Sequence, residues 1–216
     1  MKILVLVAME KEYRQLQALS NDNIIVMMTG IGKVNAAVNA TRAILQHKPD
    51  LVVSSGCAGG ASTELNVMDV VVGESVAYHD VYCCLGSGEQ YGQIQGMPLY
   101  YHAPEHLVEM AKALDYSHGT IHAGLIASGD WFVDSLEKIC EITAHFPETI
   151  AIDMESAALA QTCHVMGVPF ISFRIISDVP AKGNNLSDYN NFWDTVSDNS
   201  FAVTREFLKN ILDISR

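Results

Sequence analysis

The chain has no apolar run long enough to cross a bilayer, so neither a transmembrane helix nor a membrane partner is expected. Positive charge is scarce. Thirteen lysines and arginines face 25 aspartates and glutamates, for a formal net charge of −12 and a pI near 4.9. Such a surface repels phosphate backbones, which argues against nucleic acid as a partner. There are five cysteines, an odd number, at 57, 83, 84, 140 and 163, with no C-x-x-C pair and no His/Cys cluster at zinc spacing. The adjacent Cys83 and Cys84 are poor candidates for an ordinary disulfide, so reduced thiols in a cytoplasmic protein are expected. Nucleotide signatures are also missing. Asn35 stands where a dinucleotide fingerprint needs its third glycine, and the glycine-rich stretch 55–60 lacks the Lys-Ser/Thr of a P-loop. The opening MKILVLVAME has one basic residue and no small-residue cleavage site, so it reads as a first core strand, not a signal peptide.

The 216 residues are 49% apolar and 18% charged, the composition of a well-buried globular chain, and fit one domain. Short β-branched runs alternate with helical patterns. Strands are expected at 3–8, 23–28, 51–55, 69–77, 120–128, 150–152 and 170–176. Helices are expected at 10–18, 34–47, 104–114, 135–144, 155–166 and 191–214. This order predicts a single-domain α/β fold: a central twisted, mixed and largely parallel sheet flanked by helices. There is no internal repeat, low-complexity tract or Pro/Gly linker. Two irregular stretches, 80–98 and 180–189, have the character of lids or interface segments, and the second follows Asp178 directly.

Ligands of open α/β sheets gather at the carboxyl ends of strands, and carboxylates cluster there. Ile150 to Ile152 runs into Asp153 and Glu155, and Phe170 to Ile176 runs into Asp178. Carboxylates delivered from neighbouring strands suit acid/base or hydroxyl-binding chemistry. Glu12, past the first strand, has two readings: a site carboxylate, or a helix-start acid complementing the dipole. Gly30-Ile-Gly32-Lys reads either as a tight turn or as a ligand wall at a helix start. In 55–60 three glycines let the backbone turn sharply and approach a small molecule. Cys57 within it reads as a small buried thiol more readily than as a nucleophile. Trp131, Phe132 and Val133 after Ser128-Gly-Asp130 are flat apolar groups that suit an aromatic ligand's edge, or simply pack the core. His79, between Tyr78 and Asp80, is the one histidine flanked by an aromatic and an acid.

With these residues in place, the chain resembles the 5′-methylthioadenosine/S-adenosylhomocysteine nucleosidases of the nucleoside phosphorylase superfamily, over nearly its whole length. The motifs that carry the resemblance are A-M-E-x-E at 8–12, G-I-G-K-V at 30–34, G-x-A-G-G at 56–60 and Y-H-D at 78–80. S-G-D-x-F at 128–132, M-E at 154–155 and R-x-I-S-D-V at 174–179 complete the series in register. The resemblance implies that Asp178 is the general acid toward N7 of the purine, supported by Ser177. Glu12 would orient and deprotonate the attacking water, with Arg174 nearby. Glu155 would hold the ribose hydroxyls, and Met154 would line the sugar. Phe132 and Val133 would flank the base, while Ile31, Ala58 and Gly59 wall the sugar and water. Met9, Cys57 and Asp153 would border the substrate. No metal or cofactor is implied. A homodimer is, with 80–98 (Cys83, Cys84 and Leu85 included) reaching toward the second subunit's site. The sequence departs from the family pattern in three places. Asp153 replaces a Glu, Cys57 replaces a Ser or Thr, and only about 19–22 stands where a β-hairpin is usual.

The chemistry also separates hydrolysis from phosphorolysis. A phosphorylase must hold a phosphate dianion beneath the sugar, which calls for arginines and backbone donors. Here the first strand ends in Glu10 and Glu12 with Lys11 alone as a basic group, a setting that favours water. The alternatives are a nucleoside phosphorylase and a non-catalytic nucleoside-binding protein. The retained Glu12, Glu155 and Asp178 weigh against the latter.

Overall fold

In the computed structural model of the chain, residues 1–83, 88–183, 185–195 and 201–214 are described. The elements run β1 (Ile3–Val7), α1 (Glu10–Leu16), β2 (Ile24–Met28), α2 (Lys33–His47), β3 (Leu51–Gly60) and β4 (Val70–Tyr78). They continue β5 (Tyr101–His102), α3 (Glu105–Lys112), β6 (Ile121–Ser128), α4 (Leu136–His145) and β7 (Thr149–Asp153). The chain ends with α5 (Ser156–Met166), β8 (Phe170–Asp178), α6 (Asn185–Thr195) and α7 (Ala202–Ile214).

All the strands belong to one mixed sheet, and its centre closes on itself. β3 pairs with β8 in parallel, β8 with β4 antiparallel, β4 with β6 and β6 with β7 in parallel. β7 then returns to β3 through an antiparallel contact at Gly59 and Gly60. β1 and β2 extend outward from β3 in parallel, and the short β5 borders β4.

Side chains alternate across a strand, so β1 feeds two cores. Ile3, Val5 and Val7 pack with Leu16 of α1, Leu107 and Val108 of α3 and Phe207, Leu208 and Ile211 of α7. Leu4 and Leu6 pack with Ala36, Ala40 and Ala43 of α2 and Ala157, Ala158 and Ala160 of α5. Small residues on both helices let them approach the sheet and each other closely. Burying Phe207 alone contributes roughly 1.5–3 kcal/mol. Together the two layers fix the strand ends from which the site is built.

The predicted architecture holds, with three local differences. The stretch 56–60 is not a sharp turn. It continues β3 as a ten-residue strand, with a register irregularity between Ala58 and Gly59. The predicted final helix 191–214 is two helices, α6 and α7, and α6 begins at Asn185, inside a stretch expected to be irregular. β5 escaped prediction because two residues carry no periodicity. Between α1 and β2 lies only a short 3-10 turn, Gln17–Leu19, so the family's usual hairpin is absent.

Candidate active site

One pocket of about 750 Å³, open solvent at its mouth included, lies across the carboxyl ends of the strands. Of the residues expected at the site, Met9, Glu12, Ile31, Cys57, Ala58, Gly59, Phe132, Val133, Asp153, Met154, Glu155, Ser177 and Asp178 all line it. Arg174 does not. It lies in the middle of β8, 2% exposed, beneath the pocket floor.

Glu12 is held on both carboxylate oxygens. Oε2 accepts from the main-chain N–H groups of Ala8 (2.8 Å) and Met9 (3.1 Å), and Oε1 from that of Cys57 (3.0 Å). Glu12 thus closes the start of α1 and also faces the pocket. Burial pushes its pKa up, while Arg174 and the three N–H donors oppose the rise. The glycine at 56 makes the arrangement possible, because a Cβ there would lie 2.6 Å from Glu12 Oε1. A Cβ at Gly59 would meet the Asp178 carboxylate only at ordinary contact distance, 3.7 Å. Gly56 thus serves the close approach of a side chain, not chain reversal.

Arg174 is the buried counter-charge. Its Nε donates to Asp153 Oδ2 at 2.6 Å, its NH2 nitrogen to Ser54 Oγ at 2.8 Å and its NH1 nitrogen to the Phe173 carbonyl at 3.0 Å. Burial disfavours its charge, but Asp153, Glu155 and Glu12 more than offset this, so it stays a cation. Asp153 also accepts from the Ser156 hydroxyl, which lies 2.9 Å from Ser172 Oγ. The Asp that replaces the family's Glu is therefore tied to Arg174 and to the start of α5.

Asp178 ends β8, and burial lifts its pKa to about 6, opposed by Ser177 and reinforced by Asp188. Ser177 Oγ lies 2.7 Å from Asp178 Oδ1 and 3.3 Å from the Ala58 carbonyl. Its single proton can serve either partner. Donated to Asp178 it supports the anion; turned to Ala58 it leaves the serine oxygen free to accept from a protonated Asp178. The serine thus suits an acid that must give up a proton and regain it.

Glu155, immediately before α5, accepts the Gly32 N–H at 2.9 Å. Burial, then repulsion from Asp153, lifts its pKa to about 8. The Gly30–Gly32 turn therefore presents its amide to a site carboxylate, and Ile31 to the pocket itself. Cys57 has its thiol pKa pushed far up by burial and by Glu12, which leaves it neutral and a poor nucleophile. Among the described residues, no cluster of three His, Cys, Asp or Glu side chains could hold a metal ion.

Trp131, Pro180 and Tyr189 also line the pocket. Trp131 and the stretch 180–189 are both expected near the site, but the end of that stretch is helical: the Tyr189 ring comes from α6 and meets Phe132 edge-on at 5.5 Å. His79 is buried behind the pocket with its ring edge against Trp131 at 5.2 Å, and burial lowers its pKa. No described residue of 80–98 lines the pocket, and Cys84 and Leu85 fall outside the described residues.

The chain is similar to known proteins along most of its length. The profile of the phosphorylase superfamily matches residues 10–209. A 5′-methylthioadenosine/S-adenosylhomocysteine nucleosidase from an Exiguobacterium species is 40% identical over 193 residues, covering 87% of this chain and 82% of that protein. The chain belongs to this nucleosidase family. A nucleosidase of the same name from Hydrogenovibrio crunogenus is 35% identical, over 98% of this chain and 99% of its own. The crystal structure of the Neisseria meningitidis nucleosidase in complex with methylthio-immucillin-A superposes with a TM-score of 0.89 at 34% identity, covering 97% of this chain and 99% of that one. In this nucleosidase the N–H of Cys57, not its sulfur, reaches Glu12.

Proposed function

We propose that the chain hydrolyses the N-glycosidic bond of 5′-methylthioadenosine, S-adenosylhomocysteine or a closely related 5′-modified adenosine, releasing adenine. The observation that carries this reading is one pocket that holds the carboxyl groups of both Glu12 and Asp178 and has no lysine or arginine among its described lining residues. Without an exposed cation, a phosphate dianion has nothing to bind it, while water can be held by Glu12. Arg174, beneath the pocket, is engaged by Asp153, Ser54 and the Phe173 carbonyl.

In this reading Glu12 takes a proton from the water that attacks C1′ of the ribose. The C1′–N9 bond breaks with its electrons moving into the purine, and Asp178 delivers a proton to N7. Positive charge that builds on the ribose is stabilised by the surrounding carboxylates. Glu155 receives the ribose hydroxyls, whose donation favours its anion. Phe132 and Val133 flank the base, and Met154 the sugar. Purified protein is expected to release adenine from methylthioadenosine at the same rate with and without phosphate, with free methylthioribose as co-product. Release that requires phosphate, with a sugar 1-phosphate formed, would overturn the hydrolytic reading.

A homodimer is part of the same proposal. Val34, Val38, Thr41 and Leu45 form one stripe along α2 at helical spacing, with Val34 73% exposed. Beside it Val165 of α5 is 63% exposed, and Ala37, Ala158 and Met166 floor the groove between the two helices. A contiguous apolar face of this kind suits a second copy of the chain. Sedimentation is expected to show a dimer that Val34→Asp with Val165→Asp converts to monomer, with reduced activity. A native monomer of full activity would contradict the shared site. Free thiols at Cys57, Cys83, Cys140 and Cys163 support a reducing, cytoplasmic setting.

A further inference from the structure

Three chain segments that carry no catalytic group meet at Asp80, two residues beyond the end of β4. Its Oδ2 accepts from Lys33 Nζ at 2.6 Å and from the main-chain N–H of Asp130 at 2.9 Å. The pair is largely withdrawn from solvent, with side chains 25% exposed for Lys33 and 8% for Asp80. Asp130 completes a triangle: its Oδ1 accepts the Lys33 N–H at 2.8 Å. Gly32 has a φ of +89°, and a Cβ there would lie 3.0 Å from Asp130 Oδ1, so this approach is open to glycine alone. The start of α2, the end of β4 and the loop after β6 are thereby locked together.

Two outputs of this lock reach the pocket. The N–H of Gly32, adjacent to Lys33, donates to Glu155, and the residues after Asp130 are Trp131, Phe132 and Val133 of the base wall. Neither Asp80 nor Lys33 lines the pocket. We infer that Asp80, acting through Lys33 and the Gly32 amide, is a positioning residue for the ribose carboxylate Glu155. The inference rests on the nucleosidase reading and deepens it, since it assigns the control of ribose recognition to a half-buried ion pair outside the site. Losing the pair frees the α2 start to drift, and displacements of about 1 Å at a reacting centre cost on the order of 10²-fold.

The test compares kcat and KM for methylthioadenosine and for its 2′-deoxy and 3′-deoxy analogues. Native protein, Asp80→Asn, Lys33→Gln and Lys33→Arg are assayed side by side. Asp80→Asn keeps the shape and an acceptor for the Asp130 N–H while removing the charge that holds Lys33. The preference of the native enzyme for the full ribose, as a ratio of kcat/KM values, is expected to fall roughly tenfold in Asp80→Asn and Lys33→Gln, and to be retained in Lys33→Arg. A merely structural role lowers the rates on all three substrates in proportion and leaves the ratio at its native value; that result overturns the inference. Should Asp80→Asn not fold, the same ratio measured on Lys33→Gln decides. Adenine release by the native enzyme with unaltered ratios in the variants removes this inference alone, whereas no release by the native enzyme removes the nucleosidase reading and this inference with it.

Discussion

Asp178→Asn is expected to lower adenine release by roughly 10²–10⁴-fold while leaving nucleoside binding largely intact. The departing adenine is a poor leaving anion until N7 accepts a proton, and asparagine has none to give at that position. Its amide keeps the shape of the carboxyl and a partner for Ser177, so the loss should fall on kcat. Native kcat/KM is expected to decline toward alkaline pH. The pKa of Asp178 is about 6, so the acid holds its proton below that value and loses it above, and each further pH unit costs about tenfold in the protonated fraction. Single-turnover release across pH 4 to 9 (about five units) reads both effects. Near-native turnover by Asp178→Asn would remove it from the acid's role.

Glu12→Gln carries the second large effect, also expected at roughly 10²–10⁴-fold in kcat. Two losses combine. A neutral amide cannot take the proton of the attacking water. It also has one oxygen where the carboxylate has two, and both of those are engaged by main-chain N–H groups of Ala8, Met9 and Cys57. Whichever way the amide turns, its NH2 confronts a backbone donor, and a buried donor left unsatisfied costs about 1–3 kcal/mol. The variant should therefore show a lowered melting temperature alongside the lost rate, while free adenine, proposed to lie against Phe132 and Val133, still binds. An active Glu12→Gln enzyme would mean that another group handles the water.

Much of this site was legible because strand ends announce themselves. Apolar runs stop at Asp153 and Asp178, and a run of seven short motifs kept its order. What escaped reading has physical causes. Glycine reports freedom of the backbone but not what the freedom is for, so 56–60 reads as a turn when it is a strand in which Gly56 leaves room for Glu12. Arg174 has the same spelling whether it lines a pocket or lies beneath one; only its buried partners Asp153 and Ser54, 21 and 120 residues away, decide. Tyr189 belongs to a helix whose start has no strong signal, since α6 has few apolar residues before Phe192. The Lys33–Asp80 contact joins residues 47 apart and lies outside any local pattern.

The return of β7 to β3 has a consequence for distance. Laid out as a flat row, the ends of β3, β8, β4, β6 and β7 would stretch over roughly 19 Å, at about 4.8 Å per neighbouring pair, and the outermost could not touch one nucleoside together. Through the return, the end of β7 meets the end of β3, which lies beside the end of β8, so these three ends stand within two neighbours of one another, roughly 10 Å at about 4.8 Å per pair. Asp178 at the tip of β8, Glu155 past β7 and Phe132 past β6 then line one pocket. The reach of the active site is set by the circumference of its strands before any side chain is chosen.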